Sequence, residues 1–279
     1  MKVSINNVDV SLGKKKILKE LNCEFTNHIY GLMGANGSGK TTFIRTVLGI
    51  YKETKGEIKF YKENDVSMDI HSLNIGYLPQ TFDVFKDLTA YDQLRYFAIL
   101  KDIPKIKREE EIESVLKLTH LIEHKDKKCK QLSGGMVRRL GIAQALLGNP
   151  DILIFDEPTA GLDPQERLKF REVVHQLKIN IPIIISTHIV DDLKNLCSHI
   201  LFLKDGQINY NGTIDDLLSL LMNKVYSCSS ENIDQIEESI NIVYTQDNKV
   251  RIVSDNPLNY QFLEKVEANL DDAYVYLNR

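Results

Sequence analysis

The chain has 279 residues, a net charge of −4, and hydrophobic and charged shares of 43% and 27%. These values are typical of folded proteins with roughly two domains, so they exclude a disordered chain, a collagen-like fibre and a disulfide scaffold. A protein that binds nucleic acid through its surface charge is basic, so we expect no nucleic-acid partner.

Apolar runs in this sequence are short. Residues 152–155 and 183–185 are two of them, far below the roughly 20 residues that a membrane span needs. Residues 1–7 contain no apolar stretch of signal-peptide length, and the four cysteines lack the spacing of a metal site. We therefore expect a cytoplasmic chain without membrane spans, whose thiols are reduced.

The first elements are three predicted strands followed by a helix. Residues 3–10 and 17–25 have the apolar spacing of strands. Residues 28–33 predict a buried strand that runs into a glycine-rich loop. Residues 41–49 then predict a helix, which ends on a glycine.

The middle of the chain continues this alternation. Residues 56–60 and 75–78 predict strands, and residues 87–131 are mostly helical with a break at Pro104. The two short apolar runs named above are rich in β-branched residues, which is typical of strands buried on both faces of a parallel sheet. Strands that alternate with helices predict an α/β core.

The composition changes near residue 224. Residues 224–279 contain ten acidic and five basic side chains, whereas residues 1–223 are almost balanced. We therefore predict a main domain over 1–223 and a small α+β domain over 224–279. Its pattern predicts a ferredoxin-like βαββαβ order. The predicted elements are a strand at 225–230, a helix at 231–240, strands at 241–245 and 250–254, a helix at 256–270 and a strand at 273–277.

A phosphate-binding motif follows the strand at 28–33. The sequence Gly34-Ala35-Asn36-Gly37-Ser38-Gly39-Lys40-Thr41 matches G-x-x-x-x-G-K-[ST]. Glycines let the backbone curl around phosphate, and the following helix presents its positive end. Lys40 is predicted to reach the β- and γ-phosphates, and the Thr41 hydroxyl to bind Mg²⁺. The next residue, Thr42, completes the predicted ATP-binding set.

Two acids end the apolar run at 152–155. Asp156 is predicted to hold Mg²⁺, directly or through water, and Glu157 to orient or deprotonate the attacking water. The same residues, followed by Pro158, also fit the start of a helix, with the acids as its cap. On its own the pattern leaves both readings open, and the phosphate loop favours the catalytic one.

Four further motifs give the chain a family resemblance over about residues 1–220. Leu132-Ser133-Gly134-Gly135-Met136 resembles the signature motif of ATP-binding-cassette (ABC) ATPases, whose common form is Leu-Ser-Gly-Gly-Gln. Tyr77-Leu78-Pro79-Gln80 resembles the Q-loop, Gly161-Leu162-Asp163 the D-loop, and Ser186-Thr187-His188 the H-loop. The resemblance implies a P-loop NTPase core with antiparallel β and helical subdomains, the latter at about residues 82–131.

The resemblance also implies roles for several residues. Gln80 would sense Mg²⁺ and the γ-phosphate, and His188 would hydrogen-bond the γ-phosphate, although a histidine at a strand end is also compatible with a core position. Ser133, Gly134, Gly135 and Met136 would contact the ATP of a second ABC subunit, with Asp163 in the D-loop. A dimer, of one chain or of two related chains, would then share its two sites.

The family mostly powers passage across membranes. We therefore expect an ATPase bound to transmembrane permease subunits, peripheral on the cytoplasmic face of the membrane, and an exporter of the ABC-2 or antimicrobial-peptide-resistance kind. Most apolar residues of the helical region fit a core, and Phe82 and Phe85 are the better candidates for contact with the permease. A soluble ABC ATPase of Fe–S-assembly type is the alternative. A chromosome or repair ATPase is excluded, because 76 positions from Gln80 to Asp156 leave no room for a long coiled coil.

One position departs from the family pattern. Leu12 occupies the place, just before Gly13, where the family usually has an aromatic residue that stacks on adenine. A leucine covers a base by dispersion but loses the stacking of two rings. We therefore expect weak selectivity for adenine, with some tolerance of GTP.

Overall fold

In the residues that it describes, the computed structural model contains three β-sheets with helices packed around them. It describes residues 1–62, 66–177, 180–236, 241–244 and 249–279.

An antiparallel sheet in the order β2-β1-β4-β5 begins the chain. In β1, Val3 and Ile5 are buried, and so are Val8 and Val10. The odd-numbered and even-numbered positions therefore do not keep one alternation along the whole strand. A register shift between Ile5 and Val8 lets both pairs face the core, and Asn7 adopts a left-handed backbone there. The strands are β1 (Lys2–Leu12), β2 (Lys15–Phe25), β4 (Lys55–Tyr61) and β5 (Ser67–Met68).

The central sheet has the order β10-β9-β3-β8-β7-β6, and all of its pairings are parallel except that of β10 with β9. Every residue of β3, β7 and β8 is buried, which confirms the predicted two-faced burial. The strands are β3 (Ile29–Met33), β6 (Ile75–Leu78), β7 (Ile152–Asp156), β8 (Ile183–Ser186), β9 (His199–Lys204) and β10 (Gln207–Thr213).

The helices predicted at residues 41–49 and within residues 87–131 are present as α1, α2 and α3, and the described part of the first 223 residues contains four further helices that the sequence did not predict. Pro104 is the N-cap of α3, so the predicted helical break is confirmed, and α2 and α3 both pack against α4. The helices are α1 (Lys40–Val47), α2 (Ala90–Leu100), α3 (Lys105–Leu118), α4 (Gly134–Leu146), α5 (Pro164–Gln176), α6 (Val190–Leu196) and α7 (Ile214–Leu220). Short 3₁₀ turns at Ile122–His124 and Cys129–Gln131 complete the helical region.

The C-terminal sheet is antiparallel, in the order β12-β13-β11-β14. Because β13 pairs with both β11 and β12, those two strands run parallel on either side of it, as in the predicted split β-α-β unit. The elements are β11 (Val225–Ser229), a 3₁₀ segment (Ser230–Gln235), β12 (Asn241–Tyr244), β13 (Lys249–Val253), β14 (Glu264–Lys265) and α8 (Leu270–Leu277).

Two predicted elements of this tail are wrong, and a third is described only in part. The first helix is a 3₁₀ segment as far as Gln235, and residues 237–240 lie outside the described part of the chain. The helix predicted at 256–270 is irregular chain with the short strand β14, because residues 264–265 pair with β11. The strand predicted at 273–277 is the helix α8.

Helix α8 has a clear local cause. The Asn269 side chain accepts a hydrogen bond from the Asp272 N–H, and the Asp272 carboxylate accepts one from the Asn269 N–H, which is a capping box. Leu270, Ala273, Tyr274 and Leu277 follow at helical spacing and face the core. The alternation of Ala273, Val275 and Leu277 suggested a strand. The segment is helical instead, because it has a capping box and a 3.6-residue apolar period.

One face of the tail packs against the main domain, and the other has a small cluster of its own around Tyr226 and Ile252. Val225, Val253 and Leu270 belong to the same buried cluster as Phe202 of the central sheet. The ring of Tyr274 in α8 meets Phe202 edge-on, with centroids 5.8 Å apart. The apolar surface of the tail therefore continues the core of the main domain.

Among the helices that the structure describes, none combines the length and the apolar character that crossing a membrane demands.

Candidate active site

The glycine-rich loop between β3 and α1 has the backbone that its sequence predicts. Gly34, Gly37 and Gly39 have φ values of 146°, 83° and 111°, a region that other residues rarely adopt. A side chain at Gly34 would collide with the carbonyl of Leu203, whereas nothing lies within 4 Å of the Cβ position at Gly37. The loop therefore leaves open space on one side, as a phosphate cradle requires.

Helix α1 begins at the end of this loop, and no side chain caps its N-terminal N–H groups. Gly39 is its N-cap and provides no side-chain hydrogen bond, and the first turn contains no acidic residue. The helix therefore directs its N-terminal N–H groups and its positive end toward the loop. The buried hydroxyl of Ser38 has no hydrogen-bond partner among the described residues, which fits a site built for a further polar group.

Lys40 folds back over the loop. Its Nζ donates to the carbonyl oxygens of Gly34, at 2.7 Å, and Ala35, at 3.2 Å. Burial lowers the pKa of Lys40, while the nearby carboxylates of Glu157 and Asp156 oppose that shift. The ammonium is thus partly desolvated and bound only to neutral carbonyls, so a phosphate anion is a better partner for it.

The ends of three parallel strands bring the other predicted groups to this loop. Strand β8 pairs with β3 on one side and with β7 on the other, and Asp156 is in register with Ser186. The carboxyl ends of parallel strands share one edge of a sheet, where ligands of α/β proteins bind. Helix α5 begins only at Pro164, capped by Asp163, so the helix-cap reading of Asp156 and Glu157 is wrong.

A cavity of about 290 Å³ lies at this edge. Gln80, Asp156 and Glu157 line it together with residues of the phosphate loop and α1. The predicted residues from that second group are Asn36, Gly37, Gly39, Lys40, Thr41 and Thr42.

Asp156 is buried at the floor of this cavity. Burial raises the pKa of its carboxyl, and the hydroxyl of Ser186 and the charges of Arg138 and Lys40 oppose the shift. Burial therefore makes the charged carboxylate costly, and a cation beside it would relieve that cost.

Glu157 and His188 form a pair that their sequence positions did not reveal. Glu157 has a left-handed backbone with φ of 49°, and its N–H donates to the Ser186 carbonyl at 2.9 Å. Its Oε2 lies 2.9 Å from Nδ1 of His188. The glutamate side chain is 10% exposed and the histidine 64%, so the histidine is not a core residue. The contact depends on β7 and β8 being neighbours in register, which the sequence did not predict.

The contact of Leu12 with the base stays a prediction. Leu12 is 40% exposed at the end of β1 and is not among the residues that line the cavity. Ile17 of β2 lines it instead, a residue that the sequence reasoning did not select. An aliphatic side chain still borders the site, but it comes from the neighbouring strand.

The signature residues lie in a different cavity, of about 630 Å³. Ser133, Gly134, Gly135 and Asp163 line it, and Gln80 borders both cavities. The Ser133 hydroxyl caps α4 by accepting from the Met136 N–H at 3.2 Å. Met136 packs partly against the core. The structure therefore does not bring the signature residues to the phosphate loop of the same chain.

Comparison with known proteins decides the family. The family model described as ABC transporter matches residues 18–160. The uncharacterized ABC transporter ATP-binding protein YxlF of Bacillus subtilis is 34% identical over 203 residues, which cover 73% of this chain and 68% of that protein. The chain belongs to the ABC transporter family. It is an ABC transporter ATP-binding protein, and as such it binds and hydrolyses ATP.

Other relatives agree with this assignment. An uncharacterized ABC transporter ATP-binding protein of Methanocaldococcus jannaschii is 32% identical over 218 residues, covering 77% of this chain and 79% of that protein. ABC transporter A family member 8 of Dictyostelium discoideum is 33% identical over 238 residues, and the match spans 84% of this chain but only 28% of that longer protein.

Solved structures confirm the ABC ATPase fold. CbiO1 from Clostridium perfringens, part of an ABC transporter complex, has a TM-score of 0.67 at 26% identity, covering 78% of this chain and 90% of that one. A dimeric bacterial ABC transporter cassette has a TM-score of 0.65 at 27% identity, covering 76% of this chain and 98% of that cassette. The P-loop core predicted from the motifs is therefore confirmed.

Proposed function

We propose that this ABC ATPase works as one of two cassettes that close head to tail around ATP and so drive a separate transmembrane permease, as an exporter. Each cassette contributes its phosphate loop to one ATP and its signature motif to the other. Such a two-fold interface is self-complementary, so it suits two copies of this chain or this chain and a close relative.

The separation of the two cavities carries this proposal. Lys40 and Glu157 border the first cavity, whereas Ser133 and Gly135 border the second. Among the described residues, no signature residue lines the phosphate cavity. A second subunit that places its Ser133 over the phosphates of the first would complete both sites at once. The solved cassette described as dimeric supports this arrangement.

We further propose that Mg²⁺ accompanies ATP. Thr41, Gln80 and Asp156 line the same cavity, and their side chains carry hydroxyl, amide and carboxylate oxygens. These are the oxygen ligands that Mg²⁺ prefers, and the buried Asp156 gains a partner for its charge. The bound cation would neutralise charge on the phosphates, while Lys40 orients them and Glu157 holds the attacking water.

The surface around Phe85 is the proposed contact with the permease. Phe85 is 47% exposed and forms an edge-on ring contact with Tyr96 at 5.5 Å and a stacked one with Phe97 at 6.2 Å. Phe82, the other candidate from the sequence, lies partly buried against Gly141 and the core. Phe85 is therefore the better candidate. Contact with the permease would hold the chain at the cytoplasmic face of the membrane.

The Fe–S-assembly alternative is not favoured, because the curated relatives carry the description ABC transporter ATP-binding protein. Within the transporter reading, the direction of transport and the ABC-2 or antimicrobial-peptide sub-family stay predictions. Co-purification of the chain with a membrane protein of several spans supports the permease assignment.

The dimer is tested with Glu157→Gln, which keeps the shape of the side chain but removes its charge and its basicity. We expect this variant to bind Mg·ATP, hydrolyse it very slowly and accumulate as a dimer, measured by size-exclusion chromatography with light scattering. The matched control adds Lys40→Ala, which removes the phosphate contact and should leave a monomer. A Glu157→Gln chain that stays monomeric at saturating Mg·ATP, with or without its partners, contradicts the proposal.

A further inference from the structure

Arg138 makes five hydrogen bonds near the site, and no sequence motif selected it. It is the fifth residue of α4, the helix that begins at the signature motif, and it is only 8% exposed. A guanidinium has five N–H donors. All five donate to backbone carbonyl oxygens. These belong to two segments that meet at the phosphate cavity.

The first segment is the Q-loop. Nη1 of Arg138 donates to the carbonyl of Pro79 at 2.8 Å and to that of Gln80 at 3.0 Å. These residues follow β6 in irregular chain, so the sheet ladder does not pair their carbonyls. Arg138 therefore fixes the backbone that carries the Gln80 side chain into the cavity.

The second segment is the end of β7. Nη2 donates to the carbonyls of Asp156 and Glu157, the first at 2.8 Å, and Nε donates to that of Pro158 at 2.9 Å. The left-handed backbone of Glu157 is thus held on both sides, since its N–H bonds to Ser186. Its carbonyl accepts a hydrogen bond from Arg138, so the backbone that presents the carboxylate is fixed at both of its peptide groups.

We propose that Arg138 is a positioning residue for hydrolysis, which holds Gln80 and Glu157 at a fixed separation around the reacting phosphate and links both to the signature helix. The inference rests on the proposed role of Glu157. Because Arg138 lies on the helix capped by Ser133, a shift of α4 on dimer closure would move both segments together. The guanidinium fork is essential to this role, since the single ammonium of lysine has three donors in another geometry.

The test compares Arg138→Lys and Arg138→Gln with the wild type in the full chain, by steady-state Mg·ATP hydrolysis and by stoichiometric nucleotide binding. The phosphate loop is untouched, so KM should stay within about twofold. We expect kcat per bound nucleotide to fall by about tenfold to 100-fold, as for a reacting group that is slightly misplaced. Arg251→Lys is the control, because it removes a mostly buried guanidinium fork from β13 in the tail, which belongs to neither segment. It should lower thermal stability and leave kcat unchanged.

A double-mutant cycle separates positioning from a general loss of packing. Once Glu157→Gln has removed the base, Arg138→Lys should slow the residual hydrolysis by no more than about twofold, because the two changes act on one step. A full additional loss in that background would overturn the inference. Wild-type kcat in Arg138→Lys, or loss of nucleotide binding in both Arg138 variants, would overturn it as well. Unchanged hydrolysis in Glu157→Gln alone would instead refute the proposed base.

Discussion

Oε2 of Glu157 and Nδ1 of His188 are 2.9 Å apart, although 31 positions separate the two residues in the chain. The contact joins the ends of β7 and β8, which are neighbours in the central sheet. It places an exposed imidazole against a buried carboxylate at the rim of the phosphate cavity. One Glu157 oxygen is thus engaged by His188.

This pairing predicts that His188 acts through Glu157 as well as on phosphate. His188→Ala should leave Mg·ATP binding within about twofold and lower kcat by about 100-fold, the lower range of a general-base contribution. His188→Gln can still hydrogen-bond Glu157 and should recover part of the rate. The measurement is single-turnover hydrolysis beside equilibrium nucleotide binding. His188→Ala with the wild-type rate would show that the pair has no part in hydrolysis.

The aliphatic border of the cavity predicts weak base selectivity. Ile17 offers dispersion but no ring, and the exposed Leu12 provides no stacking surface either. ATP and GTP should therefore compete with affinities within about tenfold of each other, and Leu12→Tyr should strengthen ATP binding by about tenfold if its ring stacks on adenine. Leu12→Met is the matched control for side-chain size. A wild-type preference for ATP above about a hundredfold would contradict this expectation.

Because Asp156 is buried, we expect its charge to lower the stability of the fold although hydrolysis requires it. Because burial raises its folded pKa, its favourable contribution is present below the ordinary aspartate pKa of about 3.9 and is lost as pH rises through the folded value. At neutral pH, Asp156→Asn should therefore raise the Tm of the nucleotide-free chain by about 2 °C and abolish Mg²⁺-dependent hydrolysis.

The pH profile of this variant is its control. Lowering the pH protonates the wild-type carboxyl, so the difference in Tm between wild type and Asp156→Asn should shrink toward acidic pH. Calorimetry at a series of pH values measures it. A less stable Asp156→Asn at neutral pH would mean that the charges of Arg138 and Lys40 outweigh the cost of burial.

The C-terminal tail predicts a stability effect without a binding effect. Asp272 is fully buried and pairs with Arg251 at 2.7 Å while it caps α8. Asp272→Ala leaves that arginine without its partner and should reduce the free energy of unfolding by about 3 kcal/mol. ATP affinity should not change, because the pair lies outside the cavity. The exposed Asp271→Ala is the control, and urea denaturation with nucleotide titration is the measurement.

A deletion of residues 224–279 tests the proposed domain boundary. The sequence predicts that the shortened chain keeps ATP binding while its dimerisation or coupled turnover changes. The contact of Phe202 with Tyr274 adds that the shortened chain should be less stable, since apolar core surface becomes exposed. Loss of nucleotide binding at a temperature where the chain is still folded would place the boundary elsewhere.

The phosphate loop and the buried strands follow from local sequence alone. The phosphate loop needs glycines at positive φ next to a helix start, and Gly34, Gly37 and Gly39 satisfy that need wherever the rest of the chain lies. The apolar runs at β7 and β8 likewise fixed two buried strands, because a short β-branched segment has few other stable environments. These features depend on neighbours in the chain, so the motifs and the α/β core were predictable.

Tertiary structure decided what depends on contacts between distant residues. The Glu157–His188 pair arises from strand order, the five bonds of Arg138 from the packing of α4 under two loops, and the border at Ile17 from the pairing of β1 with β2. In the tail, residues 264–265 lie within a predicted helix but form the strand β14, because they pair with β11. An apolar pattern states which residues need burial, but only the assembled fold supplies the partners that bury them.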